Sequence, residues 1–315
     1  MILRPVRVYV CYLLLLLTIL SGSFSSANAN ANSEYHLTIK GSSINLRFSP
    51  EMSDKHLALD QQTIVNWIEK SAIAVADYFE QFPVKNLKIA ITPGSGSRIG
   101  GNAYYRATPL IVLRIQPDIT EQQLQQDWVL VHEMVHLAFP LMEDDHGWAQ
   151  EGLATYVEPL VRLKAGIVKE KDVWLWLLKG TPNGIPKEGE RGLDNTRSWG
   201  MKYWGGAIYF LLADIEIREQ TNNKLGLEDA LRAINHSGAS MAADGTWPIS
   251  EVFSIGDKAV GTQTLMNLYN KMKSKAFDPE LENIWKKFGI SLKNDQIKFD
   301  QSKSLARQKF IFGVK

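Results

Sequence analysis

The pattern of hydrophobic and polar positions in the first part of the chain predicts strands around one helix. Apolar and polar residues alternate over 35–49 around Gly41-Ser42-Ser43, which is typical of a β-hairpin. Apolar residues then recur at helical spacing over about 58–82, ending before Pro83. The next elements predicted are a buried strand, a glycine-rich loop and a second strand, at 87–94, 95–105 and 109–115. This region therefore predicts a small α/β lobe with a mixed sheet.

From Thr120 onward the pattern changes to helices. Thr120 and Gln123 have the spacing of a capping box, and their helix is expected to run to about Phe139, since Pro140 follows. Later helical periods, the first kinked or ended by Pro159, lie near 148–163, 171–179, 202–219, 226–235, 262–275 and 279–288.

The order of these elements predicts an α+β fold in one bilobal domain. The α/β lobe (30–119) is expected to pack on a mainly helical lobe (120–315), with a ligand site in the cleft between them. The segment 180–200 is polar and rich in glycine and proline, so a long loop is expected there.

The N-terminus has the layout of a secretory signal peptide. Arg4 and Arg7 precede an apolar run that ends in small residues and the sequence ANA at 27–29. Cleavage after Ala29 would export the chain to the periplasm or the extracellular space. The alternative is an uncleaved N-terminal membrane anchor, because the apolar run nearly reaches spanning length. The single cysteine, Cys11, lies inside this segment, so a cleaved chain forms no disulfide.

Charge argues against a nucleic-acid partner. The net charge of +1 becomes −1 when residues 1–29, with two arginines and no acid, are removed. The chain contains no basic run, and its acidic and basic residues are mixed. No membrane span is predicted after residue 29, and nothing in the sequence sets the oligomeric state.

Two histidines and a glutamate interrupt the apolar stretch WVLVHEMVHLAF at 128–139. On a helix, His132 and His136 leave the same face and reach one cation, while Glu133 points about 100° round the axis. Burial of such groups without partners is costly. The spacing H-E-x-x-H therefore predicts two zinc ligands and a general base that holds a metal-bound water.

A catalytic zinc site needs a third protein ligand. Phe139 and Met142 stand where the metzincin extension requires Gly and His, so that class is excluded. A carboxylate in WAQEGLATYVEP (148–159) would complete a His-His-Glu site. The rivals are Asp144, Asp145 and His146, for which capping of the following helix is the alternative reading.

The two segments HEMVH and WAQEGLATYVE together resemble the gluzincin metallopeptidases, particularly the aminopeptidase N-like branch and the peptidase MA-like domains. The resemblance implies a thermolysin-like architecture with one Zn²⁺, for which Glu151 is the third ligand. It also implies that Glu158 orients a ligand histidine from outside the coordination sphere. A surface carboxylate is the alternative reading of Glu158. The segment KYWGGA (202–207) is similar to a helix start of the same branch, whose tyrosine, here Tyr203, donates a hydrogen bond to the oxyanion. A buried structural tyrosine is the alternative.

The chain departs from that branch in one respect. Its aminopeptidases carry a Gly-x-Met-Glu-Asn segment whose glutamate holds the free amine of the substrate, and IGGNAYYRATPLIVL (99–113) contains no acid. Instead, 109–115 is predicted to be an edge strand that binds an extended peptide by strand addition.

The predicted function is that of an exported zinc metallopeptidase acting on peptides or proteins. Its residues would be His132, His136 and Glu151 as ligands, Glu133 as base and Tyr203 at the oxyanion. Two alternatives stay open: a catalytically inactive zinc-binding protein of the cell envelope, and a metallohydrolase acting on a non-peptide bond.

Overall fold

A computed structural model describes residues 34–54, 56–96, 98–142 and 146–313. The predicted signal peptide and the rival ligands Asp144 and Asp145 lie outside the described residues. In the part of the chain that is described, no helix combines the length and the apolar character needed to cross a membrane.

The N-terminal lobe contains a mixed five-stranded sheet, as predicted. Its strand order is β1-β2-β3-β5-β4; the β2–β3 and β3–β5 pairs are parallel and the two outer pairs antiparallel. The strands are β1 (Glu34–Ile39), β2 (Ser42–Phe48), β3 (Asn86–Pro93), β4 (Gly100–Tyr104) and β5 (Leu110–Ile115).

The hairpin β1–β2 is present, but its turn is shorter than predicted. Lys40 and Gly41 alone form it, with φ of 45° and 80°. A two-residue turn with both φ values positive matches the twist of the flanking strands. Ser42 and Ser43 are therefore strand residues, which pair with Ile39 and Thr38.

The prediction that 109–115 forms an edge strand is wrong. β5 lies between β3 and β4, and β4, from the stretch predicted to be a loop, forms the edge. Gly100 and Gly101 have no side chains to show an alternation of apolar and polar residues, so the pattern conceals this strand.

Helix α1 (Gln61–Phe79) packs against both the sheet and later helices of the chain. The side chain of Asp60 accepts a hydrogen bond from the backbone N–H of Thr63 and so caps the helix. α1 contacts β1 as well as helices of the second lobe, and one continuous hydrophobic core extends from Leu37 to Ile311.

The single helix predicted from Thr120 to Phe139 is two helices. The capping box of Thr120 and Gln123 starts α2 (Glu121–Gln126), and α3 (Val129–His136) follows. At the break, Asp127 is extended and its carboxylate accepts a hydrogen bond from the N–H of Leu130. A cap inside the predicted helix therefore separates the two.

The remaining elements are largely those predicted. α4 continues through Pro159 rather than ending there. Periodicity did not predict α8, α11 or the hairpin β6–β7; within α8, Gly256 is a weak helix former that packs against Leu265. The bounds are α4 (Gly147–Lys164), α5 (Glu170–Gly180), α6 (Gly206–Gln220), α7 (Leu227–His236), α8 (Ile249–Val260), α9 (Thr264–Met272), α10 (Leu281–Phe288), β6 (Ile290–Lys293), β7 (Gln296–Phe299) and α11 (Ser304–Phe312).

Candidate metal centre

Helices α3 and α4 bring the three predicted ligands together. Glu151 Oε2 lies 3.3 Å from His132 Nε2 and 3.5 Å from His136 Nε2. One ligand atom from each residue lies within 4.8 Å of the other two. Two imidazole nitrogens and one carboxylate oxygen at this spacing suit a single Zn²⁺ that keeps a fourth position open.

The electrostatics of the cluster favour a cation. Burial lowers the pKa of His132 to about 4, so its imidazole is neutral. Burial opposes the charged form of Glu151, but hydrogen bonds with the two histidines outweigh it and hold the pKa of this carboxyl well below its usual range. Burial likewise opposes the charged form of His136, yet the bond to Glu151 raises its pKa. A neutral imidazole and a carboxylate are the forms that bind metal.

Glu133 lies on the same helix and is directed towards the edge strand. It is only 8% exposed, and burial raises its pKa. The backbone N–H of Ala103 in β4 donates a hydrogen bond to its carboxylate, and the charge of His136 also favours the ionised form. A carboxyl with a raised pKa beside a metal site is suited to proton transfer near neutral pH.

Gly101 in β4 leaves the space that Glu133 occupies. A Cβ at this position would lie 2.7 Å from both Glu133 Cγ and Val129 Cγ1. The absence of a side chain at 101 is therefore what lets the edge strand and the helix approach each other.

Tyr203 comes to the cluster from a single π-helical turn, Met201–Gly205, which precedes α6. Its ring lies nearly parallel to that of His132, with centroids 6.2 Å apart, and it also stacks on the ring of Trp199, with centroids 5.2 Å apart. Burial, the charge of Glu151 and a hydrogen bond to Glu151 raise the pKa of Tyr203. The hydroxyl therefore keeps its proton and is a donor.

Two glycines set the distance between the ligand helix and the tyrosine. Gly152 of α4 faces Gly206 of α6, and a Cβ on either would collide with the backbone of the other. Glu151 and Tyr203 flank this close crossing, so the contact of two bare backbones brings their side chains together.

All the predicted catalytic and metal-binding residues border one cavity of about 280 Å³. The edge strand forms one of its walls. Its lining consists of Gly101, Asn102, Ala103, Tyr105, Trp128, Val129, His132, Glu133, His136, Gln150, Glu151, Tyr203 and Met241.

Glu158 lies outside this cavity lining. It is buried and forms an ion pair of 2.9 Å with Arg162, one turn along α4. Among the described residues its carboxylate has no hydrogen bond to His132 or His136. The alternative reading as a surface carboxylate does not fit its burial, and the histidine-orienting role implied by the resemblance stays a prediction.

His146, the rival ligand that is described, does not join the cluster. Its Nε2 lies 3.1 Å from the hydroxyl of Tyr269 and 3.6 Å from Asp194 Oδ1. Tyr156 is a packed core residue whose hydroxyl donates to Asp214.

Sequence reasoning missed the parts of the site that act through the backbone or through shape. The N–H of Ala103 and the missing side chain of Gly101 leave no signature in residue type. Trp128, whose ring contacts His132 edge-on at 5.3 Å, belongs to the apolar stretch that predicted the helix and gave no separate signal.

Comparison with solved structures shows what this fold is. An aminopeptidase N family protein from Idiomarina loihiensis is similar over 82% of this chain and 49% of its own, with 15% identity and a TM-score of 0.56. The chain shares its fold with the aminopeptidase N family. An M1 zinc metallopeptidase from Deinococcus radiodurans, bound to a Tyr-Ser-Ala substrate, is similar over 78% of this chain and 51% of its own, with 14% identity and a TM-score of 0.50.

A third similar structure is Legionella pneumophila aminopeptidase A in complex with aspartic acid. It is similar over 77% of this chain and 28% of its own, with 15% identity and a TM-score of 0.51. The chain thus spans about half, or less, of the length of these proteins. No family model and no curated protein sequence matches it.

Proposed function

We propose that this protein is an exported zinc metallopeptidase of the gluzincin type. The observation that carries the proposal is the convergence of His132, His136 and Glu151 beside the buried Glu133, in an open cavity. A structural zinc site is closed by four protein ligands and needs no base. Three ligands with an acid next to them favour hydrolysis over a purely structural zinc protein.

The residues of the site take distinct parts in amide hydrolysis. Zn²⁺, when bound, acidifies its water and polarises the scissile carbonyl. Glu133 removes the proton of the attacking water and delivers it to the leaving amine. Tyr203, protonated because its pKa is raised, donates a hydrogen bond to the oxyanion. Burial of Glu133 and its bond to Ala103 hold the base in place.

The edge strand β4 gives the substrate a place to bind. Gly101, Asn102 and Ala103 line the cavity and belong to a strand that pairs on one side only. An extended peptide added there would lie across the metal ligands. This assigns to β4 the strand addition that the sequence suggested for 109–115.

We infer that the enzyme cleaves internal bonds. Among the described residues that line the cavity, the acids are Glu133 and Glu151, both of which the mechanism uses. No further carboxylate there holds a free amine. Peptides with an acetylated N-terminus should therefore be cleaved at least as fast as the same peptides with a free one, in a comparison of kcat/KM; a strict need for the free amine would contradict the inference.

Export is part of the proposal. It rests on Arg4 and Arg7, the apolar run VYVCYLLLLLTIL that follows them, and the ANA site at 27–29. N-terminal sequencing of the protein from its native host should begin at Asn30; an intact N-terminus in the membrane fraction would favour the uncleaved anchor.

The decisive experiment is Glu133→Gln. The variant should bind one Zn²⁺ per chain, by elemental analysis, and lose at least about 10³-fold in peptide-library turnover, because the base is gone and the ligands are intact. Glu251→Gln, an exposed change in α8, is the control and should leave the rate unchanged. If the wild type binds zinc but hydrolyses no peptide, the alternative of an inactive zinc-binding protein is favoured. If it hydrolyses an ester but no peptide, the alternative of a non-peptide metallohydrolase is favoured.

A further inference from the structure

A second cavity borders the candidate metal cavity on the far side of Trp128. Its volume is about 490 Å³, against about 280 Å³ for the cavity at the metal ligands, and Trp128 lines both. It extends between the C-terminal half of α4 and the start of α5, where it is lined by residues including Glu158, Arg162, Ile167, Val173 and Trp176.

Apolar side chains, several of them open to solvent, form half of the lining of this cavity, and Gln125, Gln126 and four charged residues form the rest. Trp128 and Trp176 are each 38% exposed, and Ile167 is 41% exposed. The two indole rings lie 6.1 Å apart at an angle of 43°. Large apolar side chains exposed together around a concavity mark a site that an apolar group would cover.

The charged groups of the cavity balance one another. Its floor holds the buried ion pair of Glu158 and Arg162, and its rim carries Lys169 and Asp172. Two acids face two bases, so the lining has no net charge with which to select a charged ligand. The aromatic walls determine what binds.

The distance between the metal ligands and the second cavity matches the length of a short extended peptide. Glu151 lines the first cavity and Glu158 the second, seven residues further along α4, which corresponds to about 10 Å of helix. An extended chain covers that distance in about three residues. A peptide that crosses the metal ligands and passes Trp128 therefore presents its third residue to the second cavity.

We propose that this cavity is a specificity pocket for a bulky apolar or aromatic side chain, located three residues from the scissile bond on the side of Trp128. The proposal rests on the proposed function, since it takes the occupant to be the same peptide that is cleaved. Substrates would be selected by Trp128, which lines both cavities, and by Trp176 and Ile167, which line only the second.

The test measures affinity in a fixed register. The probes are two series of short peptides, one with a metal-binding hydroxamate at the N-terminal end and one with it at the C-terminal end. The opposite end is capped, and each probe has one Phe in an otherwise Ala/Ser sequence. Titration calorimetry on the zinc-loaded full chain should show that Phe at the third residue, on one side of the hydroxamate, binds about 10- to 100-fold tighter than Ala there. The affinity of probes with Phe at the first residue should not change when the pocket is altered.

Two variants of the pocket make the test specific. Trp176→Ala removes a wall and Ile167→Trp fills the mouth at an exposed position, so both should abolish the Phe preference while Ala probes bind as before. Leu305→Ala, an equally apolar exposed change on α11, should keep the preference. A preference that persists in both pocket variants, or that is absent in the wild type, overturns the proposal. Binding of free phenylalanine amide in the cavity without any gain in peptide affinity also overturns it.

Failure of this proposal and failure of the proposed function give different results. A pocket-dependent Phe preference in a protein that cleaves no peptide would support the pocket and refute the peptidase. Cleavage of peptides whatever residue stands at the third position would support the peptidase and refute the pocket.

Discussion

The hydroxyl of Tyr203 donates a hydrogen bond to Glu151, the predicted third metal ligand. Its ring stacks with those of Trp199 and His132, and loss of the oxygen alone would leave these ring contacts intact. This permits a test of its chemical role without disturbance of the fold.

Tyr203→Phe should lower kcat by about 10²–10³-fold with little change in KM, because the lost hydrogen bond acts in the transition state. Zinc content should stay at one per chain. Tyr104→Phe, at an exposed tyrosine of β4 outside the cavity lining, is the matched control for steady-state kinetics. Equal kcat in the two variants would assign Tyr203 to packing alone.

Glu158 gives the protein a pH-dependent stability that is separate from the metal site. Burial raises its pKa to about 7, although Arg162 favours the charged form. Below pH 4 the carboxyl is protonated in both the folded and the unfolded chain, and its contribution to the free energy of unfolding is complete. As the pH rises from about 4 to 7, the unfolded chain loses this proton first, so the contribution declines and is lost above the folded pKa.

Relative to Glu158→Gln, the wild type should therefore lose up to about 3 kcal/mol of unfolding free energy between pH 4.5 and pH 7.5. Urea denaturation of both proteins at several pH values measures the difference. A difference that does not change with pH, or that grows in favour of the wild type, would show that the Arg162 charge prevails over burial.

At the scale of elements, the crossing of α4 and α6 determines how far Glu151 stands from Tyr203. Gly152 and Gly206 meet backbone to backbone there, and no side chain intervenes. Extra atoms at such a contact force the helices apart because the surrounding core is close-packed.

Gly152→Ala should lower the free energy of unfolding by about 1–3 kcal/mol or more. It should also lower the kcat/KM of the protein that remains folded, because it separates the helix of Glu151 from Tyr203. Gly147→Ala, in the first turn of the same helix with open space around the new methyl, should leave Tm unchanged or slightly higher. Thermal unfolding and kcat/KM of both variants provide the comparison. Equal behaviour would mean that the two helices are free to shift.

The sequence predicted most elements of this fold because amphipathic helices and apolar strands leave a period. It did not predict the break at Asp127, since a capping side chain inside an apolar helix looks like one more polar position. It missed β4 because Gly100 and Gly101 carry no pattern.

Spacing predicted His132 and His136 as ligands, whereas Glu151 was implied only by the resemblance to the gluzincins. The position of Glu158 beside Arg162 depends on how α4 packs, which no local pattern contains.

At the scale of the whole molecule, the candidate metal site lies between two helices that belong to one continuous core. The core does not depend on the ion for its apolar contacts, so the metal-free chain should remain folded. Bound zinc adds stability only to the folded state.

Removal of zinc with a chelator should lower Tm by several degrees, because a ligand at about 1,000 times its Kd stabilises by about 4 kcal/mol. Far-ultraviolet circular dichroism should change little at 25 °C. His132→Gln, which removes one ligand, should show no response of Tm to the chelator. Complete unfolding on chelation would contradict the independence of the core.

The contact between Gly101 and Glu133 would limit how the proposed peptidase can be redesigned. The strand proposed to bind the substrate also supports Glu133, the proposed base, because the N–H of Ala103 donates a hydrogen bond to its carboxylate and Gly101 leaves room for it. Libraries that diversify β4 to alter selectivity would displace the proton acceptor along with the substrate. Engineers who want a new preference without lost turnover should leave residues 101–103 untouched and vary the walls beyond Trp128.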